Sequence, residues 1–184
     1  MEVRLVDAAG LSSSRGLEQK HRVQDVFSAV LAAVGREGYA SAEPVEEDQP
    51  LGEQLQSAWS DWFDAELRRR YATEQPGEQQ RLKQGYNEIL TRAYDEGGYV
   101  SPKDFLRGLS SDELEVVQHV HRLAARIDVD SLSEEGALNL VLPPAAQVDL
   151  NHDGLTQSGA GYGVRFPDSN TPADVAAAWD EATA

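Results

Sequence analysis

Six consecutive residues near the C-terminus alternate oxygen-bearing side chains with other residues. The run Asp149-Leu150-Asn151-His152-Asp153-Gly154 has the form D-x-N-x-D-G. Oxygen ligands at alternate positions can converge on one cation, and glycine at the sixth position permits the sharp turn between them. The spacing therefore makes residues 149–154 a candidate cation-binding turn.

This run resembles the first half of the calcium-binding loops of the EF-hand family, which includes the dockerin-type loops of bacterial proteins. The resemblance implies that Ca²⁺ is the cofactor and that Asp149, Asn151 and Asp153 bind it through their side chains. It also implies that Leu155 contributes its backbone carbonyl and that Gln157 reaches the ion through a water molecule.

The second half of the loop departs from the family's pattern. Ala160 stands at the twelfth position, where the family has a bidentate glutamate, and Gly161-Tyr162-Gly163 follows instead of a helix. Asp168 could return to complete the coordination. A site without the bidentate ligand is expected to bind Ca²⁺ with a dissociation constant of roughly 0.1–1 mM or weaker. An interpretation without any ion stays open, because Asp and Asn in a tight turn also accept hydrogen bonds from their own backbone.

A fainter similarity to the second half of such a loop lies upstream, over residues 95–104. Gly98 would take the sixth position and Asp104 the twelfth, but Ala93 at the first position cannot bind a cation. A capping box that begins at Ser101 explains the same residues without an ion.

The chain carries none of the short motifs of common enzyme classes, such as H-E-x-x-H, G-x-S-x-G or a phosphate-binding glycine loop. We therefore expect a non-catalytic protein-interaction, structural or accessory protein that Ca²⁺ modulates through the EF-hand-like loop. The alternative is a hydrolase whose site forms only in three dimensions, from Asp61 or Asp64 together with His119 or His121. Carboxylates on an amphipathic helix are also typical of a solvated edge.

Charge restricts the partners of this 184-residue chain. It has 16 Lys+Arg against 32 Asp+Glu, a formal net charge of -16. Nucleic acids and anionic membranes bind mainly through Lys and Arg, so both are disfavoured, whereas a protein partner with a basic face is favoured. The chain contains no cysteine, no run of roughly 20 apolar residues and no cleavable signal peptide at its start. The expected location is cytoplasmic, or exported without a cleavable signal peptide; the oligomeric state stays open.

Hydrophobic periodicity predicts an all-α fold, a small bundle of about five to six helices with a Gly-rich, partly extended C-terminal segment. Residues 1–16 are predicted to form a flexible arm, residues 17–142 the bundle, and residues 143–184 a loop-rich segment with the cation loop and a terminal helix. The predicted helices begin at Leu17, run over Leu51–Tyr71, follow Pro76-Gly77, and start with capping boxes at Ser101, Ser110 and Thr171. The helix from Ser110 is predicted to continue to Ile127.

Overall fold

Helices dominate the computed structural model, which describes the backbone of residues 8–184 and the side chains of residues 14–184. The helices are α1 (Ala8–Ala33), α2 (Leu51–Glu66), α3 (Pro76–Glu96), α4 (Pro102–Arg107), α5 (Ser111–Val120), α6 (Glu134–Val141) and α7 (Ala173–Thr183). Short 3₁₀ helices span Val129–Ser131 and Pro144–Ala146, and a hairpin joins β1 (Thr156–Ser158) to β2 (Gly161–Gly163). The all-α prediction is confirmed, although the described residues form seven α-helices instead of five to six. None of the helices in the described part is long and apolar enough to cross a membrane.

The first helix begins earlier than the sequence pattern indicates. α1 starts at Ala8 rather than at Leu17, so the second half of the arm predicted for residues 1–16 is helical. Residues 8–16 contain no proline. Extending a helix that is already anchored is easier than starting one, because each added residue gains a hydrogen bond. The rest of the predicted arm, residues 1–7, lies outside the described residues.

Two other helices end earlier than predicted. α2 ends at Glu66 instead of Tyr71, and α5 ends at Val120 instead of Ile127. Arg122 has a φ of 55°, which breaks the helical geometry just after α5. The Tyr71 hydroxyl donates to the Val120 carbonyl at 2.9 Å. One carbonyl at the open end of α5 is therefore satisfied by a side chain from the turn after α2.

Aromatic side chains from α2 and α3 fill the centre of the bundle. Trp59 is fully buried, and its ring centroid lies 4.7 Å from that of Tyr86 and 5.3 Å from that of Phe63. The Trp59 indole donates to the Lys83 carbonyl at 2.9 Å. Burying a large apolar side chain stabilises a fold by about 1.5–3 kcal/mol, so this cluster is a main source of stability.

Only one of the three predicted capping boxes forms. The Ser110 hydroxyl accepts from the Glu113 amide, and the Glu113 carboxylate accepts from the Ser110 amide at 2.7 Å. The prediction was wrong at Ser101, where no side chain caps α4. It was also wrong at Thr171, because this hydroxyl donates to the Asp168 carboxylate at 2.7 Å and α7 begins after Pro172.

The hairpin lies directly on the backbone of α6. The strands are antiparallel, with Gln157 opposite Tyr162. The Gly159 amide donates to the Gly136 carbonyl at 3.0 Å. A Cβ at Gly136 would lie 2.2 Å from the Gly159 carbonyl oxygen, so only glycine permits this contact.

Candidate cation turn and its polar support

The three predicted side-chain ligands lie on one turn that also hydrogen-bonds to itself. The Asp149 carboxylate accepts from the Gly154 amide at 2.9 Å, and the Asn151 side-chain oxygen accepts from the Asp153 amide at 3.1 Å. The Asp153 carboxylate accepts from the Leu155 amide at 2.8 Å. The structure thus brings the predicted ligands together. It also shows the backbone hydrogen bonds that the interpretation without an ion predicts.

Two residues of the turn have left-handed backbone geometry. His152 has a φ of 58° and Gly154 a φ of 83°. No atom lies within 4 Å of a Cβ built at Gly154, so its backbone conformation, rather than space, favours glycine there. The exposed His152 side chain lies 3.2 Å from the Glu37 carboxylate.

Asp149 is the buried member of the turn, with 3% of its surface exposed. Besides the turn's own amides, the Asn170 side-chain amide donates to its carboxylate at 3.2 Å. The Asp149 amide donates to the Ser169 hydroxyl at 2.9 Å. The hydrogen bonds to this buried carboxylate therefore come from neutral amide donors. Burial of a carboxylate is costly, and these hydrogen bonds offset part of that cost.

Two buried polar side chains of α6 hold the chain on either side of the turn. The Glu135 carboxylate accepts from the Leu150 amide at 2.9 Å and from the Gln157 amide at 2.7 Å. Asn139 accepts from the Val148 amide at 2.8 Å and donates to the Gln157 carbonyl at 2.6 Å. The turn is therefore fixed to the bundle through directional bonds to its backbone.

These supports were not predicted from the sequence, because Glu and Asn are usually found at the surface. One signal was present: Glu135 and Asn139 are four residues apart, and only Gly136, Ala137 and Leu138 stand between them in α6. Residues at that spacing lie on the same helix face. A polar pair on a buried helix needs hydrogen-bond partners, and the chain after α6 supplies them.

The remaining predicted ligands have other contacts. The side-chain oxygen of Gln157 accepts from the Ser133 hydroxyl at the start of α6. Leu155 is partly exposed directly after the turn. Asp168, the candidate for returning to the turn, bonds instead to the Asn170 amide and to Thr171. Its neighbours Ser169 and Asn170 are the residues that bond to Asp149.

A second buried network joins the bundle to the C-terminal segment. One ring nitrogen of His121 lies 3.2 Å from the Leu140 carbonyl, and the other lies 3.1 Å from the Gln147 side-chain amide. The Gln147 side-chain oxygen accepts from Arg165 at 2.7 Å. Burial, assisted by the positive charge of Arg70, lowers the pKa of His121 to about 3. His121 is therefore neutral at pH 7 and acts as a structural hydrogen-bonding group.

The structure does not bring together the residues of the hydrolase alternative. Asp61 pairs with Arg22, and Asp64 pairs with Lys83 at 2.7 Å. His119 lies 3.2 Å from the Glu78 carboxylate, whereas His121 is buried in the network described above. Both aspartates are about half exposed, in the ordinary environment of surface ion pairs.

The upstream similarity has a packing explanation. A Cβ at Gly98 would lie 2.8 Å from the Ala93 side chain and 2.9 Å from the Phe105 ring. Asp104 pairs with Arg107 one turn later in α4, at 2.8 Å. The glycine allows α4 to pack against the end of α3, and the carboxylate is part of a surface ion pair.

The part of the chain that the structure describes contains no cluster of three or more His, Cys, Asp or Glu side chains able to hold a metal ion. The turn differs from such a cluster because it combines two carboxylates, Asp149 and Asp153, with the amide oxygen of Asn151. This ligand set suits a hard cation that prefers oxygen, such as Ca²⁺, rather than zinc.

No family model matches the chain, and neither a curated protein nor a solved structure gives a significant match.

Proposed function

We propose that this chain is a non-catalytic protein-interaction or accessory protein whose C-terminal segment, residues 143–184, is fixed by a divalent cation, with Ca²⁺ the expected ion. The observation that carries the proposal is the convergence of oxygen atoms on one turn. The Asp153 amide lies 3.4 Å from an Asp149 carboxylate oxygen and 3.1 Å from the Asn151 side-chain oxygen. A buried carboxylate that meets only neutral donors stands beside a second carboxylate, Asp153.

The cation would act through electrostatics and conformation. Bound by Asp149, Asn151 and Asp153, with the Leu155 carbonyl and water as further ligands, it would neutralise the buried charge. The turn is linked to α6 through Glu135. Ion binding would therefore favour the position of the hairpin and of the chain that follows it.

The expected partner is a protein with a basic face. The formal net charge of -16 attracts such a surface and repels polyanions. Calcium would influence this interaction by holding residues 143–184 in one conformation.

A calcium titration followed by thermal unfolding tests the proposal. A dissociation constant of about 1 mM gives a stabilisation of about 1.4 kcal/mol at about 10 mM Ca²⁺, from mass action on the native state. For a chain of this size, the melting temperature would rise by about 3–6 °C. Magnesium at the same ionic strength should give a smaller rise, because it loses its water shell reluctantly.

Asp153→Asn is the informative variant. The substitution keeps an oxygen that can accept from the Leu155 amide, and it removes the charge that a cation needs. It should abolish the calcium-dependent rise and leave the protein without calcium about as stable as the wild type. Asp128→Asn, at an exposed position outside the turn, is the matched control and should keep the rise. An equal rise in both variants, or none in the wild type, would contradict the proposal.

A further inference from the structure

Large apolar side chains are exposed on the C-terminal segment. Tyr162 is 65% exposed, Val164 80%, Phe166 53%, Val175 43% and Trp179 44%. We name these five residues the C-terminal apolar surface. Exposed apolar patches of this kind on soluble domains mark interaction sites.

The C-terminal apolar surface draws on three consecutive parts of the segment. Tyr162 lies in β2, Val164 and Phe166 follow at alternate positions, and Arg165 between them donates to the Gln147 side-chain oxygen. The Phe166 ring contacts the Trp179 ring edge-on, with centroids 5.0 Å apart, and Val175 lies one turn before Trp179 on α7.

The edge of the hairpin next to this surface is open. The outer edge of β1 is covered by α6, since Gln157 bonds to Glu135 and Asn139 through its backbone. Tyr162 lies opposite Gln157 in the register, and every residue of β2 is exposed. Because the Gln157 backbone groups point away from the hairpin, those of Tyr162 point away on the other side. An exposed strand edge is a template for pairing with another extended chain.

Charge distinguishes between the conceivable occupants. Arg165 is the last Lys or Arg of the sequence, and Asp168, Asp174, Asp180 and Glu181 follow it. A second copy would place two chains of charge -16 together, and an anionic membrane would be repelled. A basic segment is attracted by the exposed carboxylates of α7, Asp174 and Glu181, whereas Asp180 lies 2.9 Å from His21.

We propose that β2 and the C-terminal apolar surface bind an extended segment of a partner protein in which apolar residues alternate with Lys or Arg. The segment pairs with the open edge at Tyr162, places its apolar side chains on Phe166 and Trp179, and directs its basic side chains to the carboxylates of α7. The inference rests on the proposed interaction function and names its surface and partner class.

Binding of a short synthetic peptide that alternates lysine with valine and phenylalanine tests the inference on the full chain. Fluorescence anisotropy of the labelled peptide measures the affinity. One comparison peptide has glutamate in place of lysine, and another has serine in place of the apolar residues. Both should bind at least about tenfold more weakly, because each lacks one of the two complementary features.

Substitutions on the protein locate the site. The double variant Val164→Ser with Phe166→Ser should weaken binding by about tenfold or more, since it removes apolar contact area. Val100→Ser, at an exposed valine outside the surface, is the control and should change the affinity by less than about twofold. Because Val164 and Phe166 are exposed, the far-ultraviolet circular dichroism spectrum should stay unchanged. If the spectrum changes, the peptide affinity of the single variant Val164→Ser is measured instead, and it should also be weaker than that of the wild type.

Equal binding of the glutamate peptide, or unchanged affinity in the double variant, would overturn the inference. A dimer that Val164→Ser dissociates would also overturn it, because the occupant would then be a second copy. Binding to neutral phosphatidylcholine vesicles that the double variant loses would show that the surface binds lipid instead. The calcium titration separates the two proposals. Peptide binding with no calcium response contradicts only the cation, whereas a calcium response with no peptide binding contradicts only this surface.

Discussion

The bundle and the C-terminal segment are stabilised by different kinds of contact. In the bundle, large side chains such as Trp59 and Tyr86 are buried against each other. In residues 143–184 the buried apolar side chains are small, and the backbone is held by directional bonds to Glu135 and Asn139. Apolar burial is non-directional, whereas a hydrogen bond requires a defined geometry. The bundle should therefore set global stability, and the polar contacts should set the position of the segment.

The largest effect should come from Trp59→Ala, which removes the centre of the aromatic cluster. We expect a loss of about 3–5 kcal/mol in the free energy of unfolding, from lost burial and the resulting cavity. Urea denaturation measures it. Trp179→Ala, at the partly exposed tryptophan of α7, should cost less than about 1 kcal/mol. Equal losses would show that the segment contributes to the global core.

Acid should destabilise the junction between the two regions. Because the pKa of His121 is about 3 in the folded chain and 6.5 is its ordinary value, the unfolded chain binds the extra proton between these pH values. The free energy of unfolding should fall by up to about 1.4 kcal/mol per pH unit as the pH drops from 6.5 towards 3. Below 4.5, Glu78 adds to the loss, because hydrogen bonds from Arg81 lower its pKa to about 2.

His121→Gln isolates the histidine contribution. Urea denaturation between pH 6.5 and 4.5 should show a shallower dependence in this variant than in the wild type. His119→Gln is the matched control, because His119 is partly exposed. If both variants keep the wild-type slope, His121 is not the group that titrates.

Glu135→Gln should release the segment and leave the bundle intact. Glutamine offers one oxygen in place of the two that accept from the Leu150 and Gln157 amides, so one buried amide loses its acceptor. The expected cost is about 1–3 kcal/mol. Hydrogen exchange should show faster exchange in residues 148–158 and unchanged exchange in α2 and α3. The neighbouring exposed Glu134→Gln should not have this effect.

The smallest effects should come from a pair of glycine substitutions with opposite signs. A Cβ meets no atom within 4 Å at Gly77 or at Gly154, but Gly154 has a φ of 83°. Gly154→Ala should destabilise the protein by about 1 kcal/mol through backbone strain. Gly77→Ala, in the first turn of α3, should stabilise it by up to about 0.5 kcal/mol. Thermal unfolding measures both, and shifts of equal sign would contradict the conformational explanation.

The bundle was predictable because its signals are local and repeated. The spacing of Val23, Phe27 and Val30 predicts one buried face of α1, and all three are buried. The Ser110 capping box needs only the residues near it. Helix ends were less predictable, since α2 and α5 end where tertiary bonds such as Tyr71 to Val120 replace helical ones.

The site was predictable only in part. The turn is contiguous in sequence, so its resemblance to an EF-hand loop was enough to predict Asp149, Asn151 and Asp153 as ligands. Its supports are not contiguous, because Glu135 and Asn170 approach it from two different directions along the chain. Buried polar contacts between distant residues leave no periodic trace in a single sequence. Binding of an ion at the turn stays a prediction.

Gly136 has a consequence for any attempt to manipulate this molecule. At this residue the backbones of the hairpin and α6 lie too close together to accommodate a side chain. Alanine at position 136 would displace the hairpin while leaving every residue of the turn and of the exposed surface chemically unchanged. A substitution at position 136 therefore tests how much the position of the segment matters, separately from the identity of its functional side chains.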